Sequence, residues 1–124
     1  MFQLTLIDDF TMASLYGLLD ENIEPLVVAL NSLPGVKTIG SCGGHKNPSS
    51  IQRPEGEWFV SFDFCGCDRA SEYLSELVSA IYRGDLDDEH GVTSLEVYSQ
   101  SFALCGYGSD PKGVADYIKD YMHD

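Results

Sequence analysis

The chain of 124 residues is long enough for one domain with its own apolar core, and an apolar fraction of 44% is that of a globular rather than a disordered chain. Asp+Glu 20 against Lys+Arg 7 leaves a formal net charge of −13, a field that repels nucleic-acid phosphates and anionic membranes and draws basic partners. No apolar run reaches the roughly 20 residues of a membrane span. The acidic start MFQLTLIDDF is unlike a secretory leader, and Cys42, Cys65, Cys67 and Cys105 are too unevenly spaced for a disulfide framework. The expected setting is therefore cytoplasmic, with reduced thiols.

Phe2 to Ile7 alternates apolar and polar residues and predicts a strand. A helix follows within 11–33, clearest where Ile23, Leu26, Val27 and Leu30 recur at helical spacing, with Pro25 in its first turn and Asn22 as N-cap. Leu33-Pro34-Gly35 stops it, and Val36 to Ser41 predicts a short strand. After a loop over 43–57 rich in Gly, Pro, Ser and Asn, Trp58 to Phe64 alternates again and should pair with Val36–Ser41 as a wide hairpin. Trp58, Phe59, Phe62 and Phe64 are assigned to the core. Asp68 should cap a helix with Ala70, Tyr73, Leu74, Leu77, Val78 and Ile81 on its buried face. Val92–Tyr98 and Ser101–Cys105 predict two strands joined by a tight turn. Asp110-Pro111 opens a last helix with Val114, Ile118, Tyr121 and Met122 inward.

The resulting order, β-α-β-β-α-β-β-α, predicts one α+β domain with a mostly antiparallel sheet and helices on one face. Ser61-Phe62-Asp63-Phe64-Cys65-Gly66 returns as Ser101-Phe102-Ala103-Leu104-Cys105-Gly106, a match that either an internal ββα repeat or chance would give.

Charge is unevenly distributed. No acid lies between Pro25 and Pro54, where Lys37, Lys46, Arg53 and His45 all fall. Within that stretch Ser41-Cys42-Gly43-Gly44-His45 joins a strand end to the long loop. Adjacent glycines can bring backbone N–H groups close to a ligand, and His45, Lys46 and Arg53 supply cations. Ser41, Cys42, Gly43, Gly44, His45, Lys46 and Arg53 are therefore the candidate seat of a small anionic, nucleotide-like ligand. A nearby imidazolium would raise the thiolate fraction of Cys42, but Pro48 occupies the place of a phosphatase-type arginine, and an inert thiol is expected.

Cys42, His45, Cys65 and Cys67 would make four soft metal ligands. A hairpin places Cys42 beside Trp58 and Cys65 at the far end, on the order of 20 Å away at 3.3 Å per residue, so no metal ion is predicted. Gly106-Tyr107-Gly108-Ser109-Asp110 lacks the third glycine of a dinucleotide loop, having Pro111 there, and is read as a helix-capping turn.

The stretch from Asp20-Glu21-Asn22-Ile23-Glu24-Pro25-Leu26 through Leu30-Asn31-Ser32-Leu33-Pro34 to Thr38-Ile39-Gly40-Ser41-Cys42-Gly43-Gly44-His45 resembles the wybutosine-synthesising tRNA methyltransferase family. Asn31, Ser41, Cys42 and Gly44 match a family helix ending in Ile-Asn and its Ser-Ser-Cys-Ser-Gly-Arg loop. His45 stands where the family has arginine. The resemblance spans about residues 20–106 and implies S-adenosylmethionine as cofactor and methyl transfer to a tRNA guanosine. A second reading is an acidic inhibitor that mimics phosphate toward a basic protein partner, presenting Asp85, Asp87, Asp88 and Glu89.

Overall fold

The structure is a computed structural model that describes residues 19–50, 52–64, 68–99 and 101–122. The strand expected at Phe2–Ile7 lies outside the described residues. The elements are α1 (Glu24–Asn31), β1 (Val36–Cys42), β2 (Glu57–Phe64), α2 (Asp68–Arg83), β3 (Val92–Val97), β4 (Phe102–Tyr107) and α3 (Pro111–Tyr121). The strands form one antiparallel sheet in the order β1-β2-β4-β3.

One core cluster joins Trp58, Val60, Phe62 and Leu104 of the sheet to Leu26 and Leu30 of α1, Tyr73 and Leu77 of α2, and Val114 and Ile118 of α3. All three helices therefore lie on one face, and the α+β architecture expected from the hydrophobic pattern is the one found. Alternation along β2 and β4 puts Phe59, Ser61, Ala103 and Cys105 on the other face.

The two copies touch at the end of the β2–β4 ladder. Phe62 and Phe102, equivalent in the two copies, are directly paired, and their rings stack at 5.9 Å.

Several side chains depart from the sequence reading. Asn22 is not the α1 cap; Ile23 holds that position without a side-chain bond, while Pro25 does fall in the first turn. Val78 is exposed and Ala80 buried in its stead, because the α2 stripe turns toward Ala70, Tyr73 and Leu77. In α3, Tyr121 is 70% exposed and Ala115 is buried. Phe59 is excluded from the core because it alternates with Trp58 and Val60. Asp68 is the first residue of α2.

The β1–β2 register carries one irregularity. Thr38 faces Phe62 but Gly40 faces Ser61, so Ile39 is the extra residue of a β-bulge. An unbulged hairpin would set Cys42 opposite Trp58. The bulge moves it opposite Phe59 instead, and a one-residue slip changes the face of the sheet a side chain occupies.

Candidate functional site

The loop after β1 is held from both sides. Asn22 Nδ2 donates to the Gly43 carbonyl (2.9 Å), and the Gly43 N–H donates to Asp20 Oδ2 (2.8 Å). The His45 N–H donates to the Arg53 carbonyl (2.9 Å), tying the start of the loop to its end. The His45 ring turns back, with Nε2 3.2 Å from Asp20 Oδ2. Cys42 is buried beneath this closure, and its Sγ accepts the Arg53 N–H at 3.3 Å.

The residues singled out by sequence therefore separate into two groups. Cys42, Gly43 and His45 converge on Asp20, so the Gly43 N–H and the His45 imidazole already have an anionic partner within the chain. Gly44 takes φ 97° against the Glu57 carbonyl, where a Cβ would stand 2.7 Å away. Ser41 pairs with Val60 on the helix side of the sheet, and Lys46 is exposed.

Arg53 belongs to the second group. Its guanidinium lies over the Phe59 ring, 5.3 Å from the centroid, with Nη1 3.8 Å from Glu57 Oε1. Partial burial pulls its pKa down, but Cys105, Tyr107 and Glu96 outweigh this and raise it. Glu96 accepts hydroxyl bonds from Tyr98 and Tyr107. The Tyr98 bond is the main reason that its carboxyl titrates below the usual range, with partial burial opposing and Tyr107 and Arg53 adding to it. Beside this group an open cleft of about 480 Å³ is lined by Arg53, Phe59, Ser61, Tyr98, Ser101 and Ala103.

No family model, curated protein or solved structure matches this chain. The likeness to the wybutosine-synthesising family stands on the quoted residues alone.

Asp20, Glu96 and Tyr98 are functional candidates that sequence reasoning missed. Asp20 precedes a helix in an acid-rich stretch and nothing local marks it. The period-two pattern of WFVSFDF did contain the signal for Phe59 and Ser61, which share the face opposite Trp58.

The acidic turn, by contrast, is internally engaged. Asp85 pairs with Arg83 at 2.8 Å, and Asp87 accepts the Thr93 N–H. Asp88 accepts the N–H groups of His90, Gly91 and Asp110. Among the described residues, no helix is long and apolar enough to cross a membrane.

Proposed function

We propose that the chain binds a small anionic, nucleotide-like ligand in the cleft on the sheet face opposite the described helices, with Arg53 as its anion-recognising group. The observation that carries this reading is a guanidinium held over an aromatic floor at the mouth of a cleft of about 480 Å³, a volume within the usual range for small-molecule sites. Arg53 offers a planar fork to a phosphate or carboxylate. The Phe59 and Tyr98 rings suit a base, and the Ser61 and Ser101 hydroxyls suit a ribose. S-adenosylmethionine, which the family resemblance implies, presents a carboxylate and an adenine to the same groups. The inhibitor reading has less support, because Asp85, Asp87 and Asp88 already serve the turn that carries them.

Calorimetric titration with AMP, S-adenosylmethionine and inorganic phosphate tests the proposal. Arg53→Gln should weaken binding about 10–100-fold, the worth of a hydrogen bond to a charged group, while Lys46→Ala should change it little. Binding insensitive to Arg53→Gln but abolished by Lys46→Glu would return the anion to the Ser41–His45 loop. Capture of a basic protein that is lost in Glu72→Lys/Glu76→Lys, with no nucleotide binding, would favour the interaction protein; both glutamates are exposed on α2.

A further inference from the structure

We infer that Asp20, Cys42 and His45 form a binding site for one zinc-class divalent cation, separate from the cleft. One ligand atom from each residue lies within 4.8 Å of the others. His45 Nε2 and Asp20 Oδ2 are 3.2 Å apart. Two ligands at zinc distances of 2.0–2.1 Å, opened to the tetrahedral angle, stand about 3.3 Å apart. The donor set of a thiolate, an imidazole and a carboxylate suits zinc or cobalt and is poorly suited to calcium or magnesium.

The surroundings orient the ligand atoms. The Gly43 N–H points at the Asp20 carboxylate and the Arg53 N–H at the Cys42 sulfur. Such outer donors fix the direction of the ligand atoms. A thiolate and a carboxylate balance a divalent ion while His45 stays neutral, and the net charge of −13 enriches cations around the chain. Three protein ligands leave one coordination position for water or a further group. The separation of Cys42 from Cys65 that argued against a metal does not apply, because Asp20 arrives from the segment before α1.

The bulge at Ile39 is part of the argument. It takes Cys42 off the Trp58 face, where the thiol would enter the apolar core, and sets it under the loop beside Asp20 and His45.

Cobalt(II) and zinc(II) titration of the Cys65→Ser/Cys67→Ser variant provides the test, with circular dichroism as the folding control. One equivalent of cobalt should give tetrahedral visible bands and a thiolate charge-transfer band, and excess magnesium should not displace it. Loss of an outer-shell partner alone costs 10–100-fold in metal affinity, so Asp20→Asn, His45→Ala and Cys42→Ser should each weaken zinc by about 100-fold or more. Cys42→Ser should also remove the charge-transfer band. Arg53→Gln, which keeps its backbone N–H, should leave metal binding unchanged and so separates this site from the cleft. The proposal is overturned if the bands are absent, if they survive Cys42→Ser, or if magnesium competes equally. Should Cys42→Ser not fold, unchanged zinc affinity in both Asp20→Asn and His45→Ala has the same force.

Discussion

A Cβ on Gly43 would stand 2.0 Å from Asn22 Oδ1, whereas one on Gly44 would stand 2.7 Å from the Glu57 carbonyl oxygen at a backbone φ of 97°. The first neighbour is the tip of an exposed side chain that can swing aside; the second is backbone that cannot. Gly44→Ala should therefore cost about 1–3 kcal/mol, and Gly43→Ala under about 1.5 kcal/mol, the worth of the Asn22 bond it displaces. Urea denaturation of both variants checks the order, and the reverse ranking would contradict this account of the loop. Chemistry at Cys105 is also set by its surroundings. Burial first, then the Glu96 carboxylate, pushes its thiol up to about 11, with Arg53 opposing. At pH 8 only about one thiol in a thousand is then thiolate. Cys105 should resist iodoacetamide in the folded protein and react on unfolding, which peptide mapping can follow; rapid native labelling would refute it.

Among the elements, α3 shows the most legible local design. Asp110 caps it by accepting the Lys112 N–H at 2.9 Å, with Pro111 in the first turn. Asp110→Ala should cost about 0.5–2 kcal/mol and Asp110→Asn much less, both readable by thermal melting. The β3 approach depends on the preceding acidic turn. The N–H bond from Asp110, then those from His90 and Gly91, lower the Asp88 pKa against a small opposing effect of burial. A carboxylate whose folded pKa is depressed contributes stability above its unfolded value, and loses it as pH falls through the folded one. The melting-temperature gap between wild type and Asp88→Ala should therefore be widest near neutrality and close in acid. A gap independent of pH would show that the charge does not matter. The turn between α2 and β3 is thus an architectural use of acids, and reversing their charge damages the fold before it reports on any partner.

For the whole molecule, burial of one face of the sheet under the described helices forms the core that stabilises it. Leu77 is 1% exposed within the common core, and Leu77→Ala should cost about 2–5 kcal/mol in denaturant unfolding. Self-repulsion at −13 acts against the compact state. Raising salt from about 0.01 M to about 0.15 M should increase the melting temperature as the Debye length shortens; an unchanged midpoint would show that the acids are too well spaced to repel. Among the described residues Cys42 and Cys105 are free thiols, and reductant is expected to leave the midpoint unchanged. Element types and order were legible along the described chain, because periods of 2 and 3.6 residues are local properties that Trp58–Phe64 and Ala70–Ile81 display directly. The same locality made the Asp110 cap and the hairpin of Val36–Ser41 with Trp58–Phe64 readable. The turn of each stripe was less so: Val78 and Tyr121 are apolar enough for the core, but which apolar residue points inward depends on how neighbouring helices cross. Cys42, Gly43 and His45 were visible as a cluster in sequence, yet their partner was not. Asp20 reaches them only because α1 packs beside β1 and a single extra residue at Ile39 changes the face on which Cys42 emerges. Long-range packing and strand register decided the site, since neither leaves a periodic trace in the residues that it brings together.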